Sequence, residues 1–272
     1  MRNFMALLLF TAACAPGNPE ATSAPPPSAV VAFKMQTREM TYEDCIAGGD
    51  GCTYIRFDYP AVVDAPVGTA VEALTSAIDS FLMAPLNQDE PPVSVNALMA
   101  RFLSDFAASK ASEPKSAQSW FFERKAFVLR TTPNLLSLSF SERSYLGGLG
   151  DAHGLLAVHY LNFDPATGAR KVLTDVLKEG SLPDATSLAE GHFRQVRGIA
   201  EGTTLKDAGF TFPNDAFALS GDFALRDDGL ALYYNPNDVA PYSMGATEIV
   251  LSQDEVRGLL KPEYAPGSVT PP

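Results

Sequence analysis

Two residues that could carry out acid–base chemistry follow a glycine-rich stretch. Asp151 and His153 are separated by one residue, so both side chains lie on the same face of an extended segment. A carboxylate that orients an imidazole is part of many nucleophilic hydrolase sites. The serines that could complete such a site, Ser141, Ser144 and Ser243, are not in the G-x-S-x-G turn that exposes a serine nucleophile. We therefore favour a structural role, in which the His153 ring closes a turn by hydrogen bonding, and keep hydrolysis as the alternative.

The three histidines do not form a metal-binding pattern. His159 follows His153 by six residues on the same predicted strand, about 20 Å away, so the two cannot share an ion. His192 falls on the apolar stripe of a predicted helix, which is typical of a half-buried histidine with a local partner. The sequence therefore predicts neither a metal nor a cofactor.

Aromatic residues in the C-terminal half form a second candidate site. Tyr233 and Tyr234 precede an Ala-Pro-Tyr segment that continues from Tyr242 to Gly245. Tyrosines beside a backbone restricted by proline can present a surface on which a sugar ring or a protein partner packs. Packing of the same residues in the core is the other explanation. The candidate binding residues are Asp151, His153, Tyr234, Tyr242 and Gly245.

Two cysteines flank a polar loop with three glycines. A bridge between Cys45 and Cys52 would close a ring of about eight residues, which stabilises a fold by roughly 2.5 kcal/mol on the chain-entropy model. A metal site or a redox pair would normally have the C-x2-C spacing, which this pair does not have. We predict a structural disulfide, and with it an oxidising compartment.

The first residues have the organisation of an export signal. Arg2 provides a positive start, and the apolar run Phe4–Phe10 that follows is too short to cross a bilayer as a helix. Thr11–Cys14 reads small-small-small-Cys and resembles the lipobox of bacterial lipoproteins, with threonine where leucine is usual. The resemblance implies a signal peptide at 1–13, lipidation of Cys14 and an extracytoplasmic, membrane-anchored protein. An ordinary secretory signal and a misassigned start are the alternatives.

Composition limits the possible partners. The chain has 272 residues, of which 46% are hydrophobic and 19% charged, so it can form a core. Its net charge of -12 argues against nucleic acid and against an anionic lipid surface, because both require a basic face. Residues 201–254 include nine acidic and two basic side chains, so a partner that binds there should be cationic. Residues 14–29, rich in Pro, Ala and Ser, should form an extended tether.

Hydrophobic periodicity predicts an α+β protein with two small domains, at 30–145 and 146–264. The first has the order β-β-α-α-β-β, and each domain is expected to be an antiparallel sheet packed by helices. The predicted strands are 30–40, 53–63, 120–129, 135–141, 153–163, 170–173, 223–225, 230–234 and 247–251. The predicted helices are 67–83, 97–110, a short turn capped by Thr174, 184–200, and a final helix opened by a Ser252 capping box.

Motifs in both halves resemble known domain families. Gly147–Leu177, with its glycine cluster, N-F-D strand end and T-G turn, resembles the opening motif of the DUF3298 domain. Tyr233–Pro236 and Val239–Gly245 resemble its C-terminal signature. The cystine loop leading into Tyr54–Pro60 is similar to the DUF4163 domain, which normally precedes DUF3298. The resemblance covers about residues 30 to 262, with Gly150-Asp151 inserted and Asn237-Asp238 in place of an aromatic–acidic pair.

The resemblance implies an extracytoplasmic α+β protein that binds a ligand without turning it over. Relatives include a membrane anti-sigma factor whose DUF3298 region binds lysozyme, and proteins in which both domains accompany a peptidoglycan deacetylase. We therefore predict a cell-envelope lipoprotein that is a non-catalytic binding module for a lysozyme-like protein or a peptidoglycan glycan. A small envelope hydrolase that uses Asp151 and His153 is one alternative hypothesis. A structural envelope factor without a small ligand is the other.

Overall fold

A computed structural model describes residues 29–86, 90–113, 118–147 and 154–265. The predicted signal peptide, Cys14 and nearly all of the tether lie outside these ranges. The largest element is a six-stranded sheet in which the strands are neighbours in chain order. The strands are β1 (Ala32–Thr41), β2 (Tyr54–Asp64), β3 (Trp120–Thr132), β4 (Leu135–Leu146), β5 (Leu155–Phe163) and β6 (Arg170–Lys171).

Two helices connect β2 to β3 and determine the direction of β3. They are α1 (Val71–Leu82) and α2 (Val95–Ser112). β2 and β3 pair in parallel, with Tyr54 opposite Phe121. The expectation of a fully antiparallel sheet is wrong at this pair, because a crossover through helices returns the chain to the same end of the sheet. The other neighbouring strands of this sheet are antiparallel.

α1 and α2 pack on the six-stranded sheet and form its core. The buried apolar residues include Ile55, Phe57, Leu74, Ile78, Leu98, Phe102, Phe122, Leu138 and Phe140. The Arg124 side chain is also buried there, and its Nε donates to Glu142 at 2.7 Å. Its Nη1 donates to the carbonyls of Leu82, the last residue of α1, and of Ala84, two residues later. The buried cation therefore has both an opposite charge and hydrogen-bond partners.

The C-terminal half contains a smaller antiparallel sheet with a helix packed on it. The sheet order is β7 (Phe223–Arg226), β8 (Gly229–Tyr234) and β9 (Thr247–Ser252). The helices of this half are α3 (Leu173–Val176), α4 (Leu182–Arg197) and α5 (Gln253–Arg257). Phe193 of α4 is at the centre of the core, with the rings of Phe210, Phe212, Phe217 and Tyr234 around it. The two sheets and their helices confirm the predicted α+β class.

Several local predictions hold and one shifts by two residues. The Ser252 capping box is present, and in it the Glu255 carboxylate accepts from the Ser252 backbone N–H at 2.7 Å. The same carboxylate also accepts from the Ser252 hydroxyl at 2.7 Å. The disulfide between Cys45 and Cys52 is confirmed. The short helix expected after a Thr174 cap begins earlier, at Leu173, and the Asp175 carboxylate accepts from the Val172 N–H at 2.8 Å.

The two halves of the chain are joined through β5. The predicted boundary between 145 and 146 falls at the end of β4, while β5 and β6 extend the first sheet. Asn162 on β5 connects the sheets: its Oδ1 accepts from the Ser137 hydroxyl at 2.6 Å, and its Nδ2 donates to the Phe223 carbonyl at 2.6 Å. Tyr160 packs with Ala224 and Ala231 of the smaller sheet. The division into two domains stays a prediction.

Candidate functional site

The structure places the predicted binding residue Tyr242 against Gly154, the first described residue after 148–153. Asp151 and His153 lie in 148–153, outside the described residues, so their chemistry stays a prediction. Gly154, the next residue, is described and buried. Its carbonyl accepts a hydrogen bond from the Tyr242 hydroxyl at 3.3 Å, across 88 positions of sequence. The start of β5 and the Ala-Pro-Tyr motif therefore belong to one region of the surface.

Residues 235–245, which we call the signature segment, connect β8 to β9 and run past β5. Asn237 has φ of 74° and Gly245 has φ of 70°, the left-handed backbone that asparagine and glycine tolerate best. Tyr242–Met244 forms a single 3-10 turn after Pro241, closed by the Met244 N–H donating to the Pro241 carbonyl at 2.9 Å. Proline and local hydrogen bonds thus restrict the segment before any ligand binds.

The Asn235 side chain attaches the signature segment to β5 as a neighbouring strand would. Its Oδ1 accepts from the Val158 N–H at 2.7 Å, and its Nδ2 donates to the Val158 carbonyl at 2.9 Å. The Asn235 backbone N–H donates in turn to Asp238 at 2.6 Å. Val158 pairs with Ser141 of β4 on one edge, and among the described residues β6 reaches only Asn162 and Phe163 on the other. One primary amide therefore satisfies both backbone groups of Val158 on the edge that β6 leaves open.

Asp222 completes the polar network around β5. Its carboxylate accepts from the Tyr160 N–H at 3.3 Å, lies 3.1 Å from His159 Nδ1, and is 3.4 Å from Asn235 Nδ2. The hydrogen bond to Asp222 is the largest cause that raises the pKa of His159 above its usual 6.5, with burial opposing it. Sequence patterns did not identify Asp222, because no motif connects it to a strand 62 residues away.

The signature segment is exposed at Asn237 and Asp238 and again at Pro241, Ser243, Met244 and Gly245, and the second stretch contains the apolar side chains. Arg197, at the end of α4, holds this second stretch from the other side. Its Nη2 donates to the Met244 carbonyl at 2.9 Å, and its guanidinium lies 5.0 Å from the Phe210 ring centre. The backbone is therefore anchored at both ends while the Pro241 and Met244 side chains face solvent, which suits contact with a partner.

Tyr234 is not part of this surface. Only 3% of it is exposed, its ring packs against Phe193 and Phe212, and its hydroxyl donates to the Ala218 carbonyl at 2.9 Å. Burial raises the pKa of its hydroxyl strongly. The sequence-based assignment of Tyr234 as a binding residue is corrected to a core residue, because β8 turns this position towards α4. Tyr242 is half-buried and Gly245 is exposed, so both remain candidates.

A groove of about 710 Å³ lies where the ends of β3, β4 and β5 meet α2 and the chain after α1. Its apolar residues come mainly from buried aromatic rings and exposed leucines, and its polar residues are mostly charged. The lining residues are Pro85, Leu86, Glu90, Pro91, Val93, Leu98, Arg101, Phe102, Asp105, Trp120, Phe122, Glu142, Ser144, Leu146 and Leu155. No sequence motif indicated the groove, because its residues are scattered over five elements.

The described residues contain no group of three or more His, Cys, Asp or Glu arranged to hold a metal ion. His159 and His192 each contact one carboxylate instead, Asp222 and Glu255 respectively. Within the same ranges, no helix is both long and apolar enough to cross a membrane.

Comparison with known families identifies the C-terminal part of the chain. Residues 174–254 match the family described as "Protein of unknown function (DUF3298)". The DUF3298 match is confined to these residues, less than half of the chain. The match begins in α3, ends in α5 and includes the whole signature segment. The resemblance of the N-terminal half to DUF4163 stays a prediction.

The DUF3298 assignment agrees with the proteins that the chain resembles. It is 25% identical over 139 residues to the peptidoglycan-N-acetylmuramic acid deacetylase PdaC of Bacillus subtilis, covering 50% of this chain and 28% of that protein. The fold matches the crystal structure of a DUF3298 family protein from Pseudomonas aeruginosa PAO1, with a TM-score of 0.60, 20% identity, and coverage of 87% and 97% of the two chains. A DUF3298 family member from Bacteroides fragilis gives a TM-score of 0.59, 19% identity, and coverage of 86% and 96%.

Proposed function

We propose that this protein is a lipid-anchored, non-catalytic binding module of the cell envelope, whose signature segment binds a cationic protein of the lysozyme class. The observation that carries the proposal is the exposed turn Pro241–Gly245, with its backbone anchored by Asn235 on one side and Arg197 on the other. An anchored loop loses little conformational entropy on binding, so its exposed apolar side chains contribute more of their contact energy to affinity.

The charge of the surrounding region supports a cationic partner. Residues 201–254 contain nine acidic and two basic side chains, and both basic side chains already have acidic partners. Lys206 pairs with Asp215 at 3.3 Å, and Arg226 pairs with Asp228 and Glu248 at 2.5 and 2.7 Å. The remaining acidic excess would attract a basic protein and would make its binding sensitive to salt.

Peptidoglycan glycan is the second candidate ligand. The observation that favours it is the resemblance to PdaC, whose name places peptidoglycan as its substrate, although this chain spans only 28% of that protein. The hydrolase alternative depends on Asp151 and His153. If His153→Ala leaves every peptidoglycan-degrading activity of the protein unchanged, that alternative is wrong.

Salt-dependent capture tests the lysozyme proposal. The full chain, purified in detergent, is passed over an immobilised basic lysozyme at low ionic strength and then over a rising NaCl series. We expect retention that falls as salt increases, and at least about tenfold weaker binding for Met244→Lys, which adds a like charge to the contact. Met40→Lys is the matched control, because Met40 on β1 is 39% exposed and Met244 is 36% exposed.

Two results would contradict the proposal: no retention at low ionic strength, or equal weakening by both methionine variants. Retention on isolated peptidoglycan sacculi without retention on lysozyme would support the glycan candidate in place of the protein partner. The anchor is tested separately. Cys14→Ser should abolish incorporation of radiolabelled fatty acid and release the protein from the membrane fraction.

A further inference from the structure

We propose that the groove beside Trp120 is a second ligand site, which takes a short, neutral oligosaccharide of N-acetylated sugars. This inference rests on the proposed function, in which a glycan is the second candidate ligand. It places that glycan in the groove and leaves the signature segment to the protein partner. The two surfaces adjoin at the start of β5, where Leu155 lines the groove and the Gly154 carbonyl accepts from Tyr242. A glycan and a protein partner could therefore occupy the molecule side by side.

The size and walls of the groove suit sugar rings. Its volume of about 710 Å³ lies within the roughly 300–1,000 Å³ range of sites that hold small ligands. Phe102, Phe122 and Trp120 form the buried base of the groove at 2%, 4% and 9% exposure, and their positions are fixed because each packs against other core rings. Leu86 and Leu155 add exposed apolar surface at 38% and 45% exposure. The apolar faces of pyranose rings and the methyl groups of N-acetyl substituents pack on such surfaces.

The charged residues of the groove are nearly balanced among themselves. Glu142 is paired with the buried Arg124 at 2.7 Å. Arg101 lies 2.5 Å from Glu90 and 3.7 Å from Asp105. Counting Arg124, the groove has one carboxylate in excess, which is too little to select a strongly charged ligand.

Paired charges of this kind still form hydrogen bonds. A carboxylate has about four lone-pair positions and a guanidinium five N–H donors, so a single ion pair leaves capacity on both partners. Those groups can accept from sugar hydroxyl and acetamido N–H groups and donate to acetamido carbonyls. Since the ion pairs fix the orientation of the side chains beforehand, a neutral and polar ligand fits the groove better than a phosphate or a basic peptide.

The sequence provides a reporter for this site. Trp120 is the only tryptophan in the chain, so its fluorescence reports on the groove alone. The N-acetylglucosamine trimer is titrated into the full chain in detergent while the emission of Trp120 is followed. We expect a saturable change in emission, and a smaller or absent change with the deacetylated glucosamine trimer, because that ligand lacks the acetyl groups and carries positive charges.

Arg101→Ala should weaken trimer binding about tenfold, which corresponds to about 1.4 kcal/mol. Arg257→Ala is the matched control. Both arginines are helical, both lie near an acidic residue of their own helix, and their side chains are 52% and 54% exposed. Because Arg101 is exposed, we expect the variant to fold, and circular dichroism checks this. Trp120→Phe keeps an aromatic ring at this position but removes the fluorescent reporter. Calorimetry on this variant should still detect the heat of trimer binding, which checks the site independently of fluorescence.

The proposal is overturned if the trimer changes neither Trp120 emission nor heat at about 10 mM, a concentration at which even millimolar binding would be visible. It is also overturned if Arg257→Ala weakens binding as much as Arg101→Ala does. Lysozyme capture separates it from the proposed function: Arg101→Ala should retain capture, while Met244→Lys should retain the trimer response. A trimer response without lysozyme capture would leave the groove supported and the protein partner contradicted.

Discussion

Replacing Asn235 by alanine would remove the side chain that attaches the signature segment to β5. The Asn235 amide is bonded to both backbone groups of Val158, at 2.7 and 2.9 Å. In the alanine variant those two groups would lose their protein partner. The segment would keep its bonds through Tyr242 and Arg197 and the bond from the Thr211 N–H to the Val239 carbonyl, none of which attaches it to Val158. We therefore expect both a loss of stability and increased motion of the segment.

The magnitude follows from the two lost hydrogen bonds. A buried backbone group left without a partner costs about 1–3 kcal/mol, and partial access to water places each of these near the lower limit, since Asn235 and Val158 are half-buried. The expected decrease in the free energy of unfolding is about 2–3 kcal/mol. Asn235→Asp should lower the free energy of unfolding at least as much. The aspartate lacks both side-chain N–H donors, and it would place a second carboxylate beside Asp222, which lies 3.4 Å from Asn235 Nδ2 in the wild type.

Urea unfolding followed by circular dichroism measures the stability, and amide hydrogen exchange at Val158 measures the local attachment. Asn96→Ala is the control, because its exposed side chain accepts one bond from Arg38 and its loss should change stability by less than about 0.5 kcal/mol. The reasoning is refuted if Asn235→Ala is as stable as the wild type, or if the Val158 amide stays equally protected. In either case the segment would be held by contacts other than this amide.

Three further predictions concern backbone geometry, pH and the disulfide. Gly154→Ala should destabilise by at least about 1 kcal/mol more than Gly202→Ala in thermal unfolding, because both have positive φ but only at Gly154 would a Cβ lie 2.3 Å from a carbonyl oxygen. Since Asp222 raises the pKa of His159 above 6.5, protonation stabilises the fold at low pH. The urea midpoint should therefore fall as pH rises from about 6 to about 8, and His159→Gln should flatten this change. Reduction of the Cys45–Cys52 disulfide should lower the free energy of unfolding by roughly 2.5 kcal/mol; an unchanged denaturation midpoint would contradict this.

Features that depend on neighbours in the chain were predictable from the sequence. The β7–β8 hairpin turns at Asp227-Asp228, between the strands predicted at 223–225 and 230–234, because the residues that form a tight turn are adjacent. The Ser252 capping box and the disulfide across a short glycine loop follow for the same reason. Periodic apolar residues located the helices and strands because burial of one face acts over a few successive residues.

Features that join distant parts of the chain needed the tertiary structure. The parallel pairing of β2 with β3, the burial of Tyr234 and the two-sided bond from Asn235 to Val158 depend on which elements are neighbours in space. The groove is the clearest case, since its residues extend from Pro85 to Leu155 and only the Arg101–Asp105 pair has a spacing that the sequence shows as a helical ion pair. Local sequence patterns report which faces are apolar, whereas the direction in which elements pack is decided by the complementarity of surfaces far apart in sequence. The sequence alone therefore determined the elements and their class, and the tertiary structure decided which residues form a site.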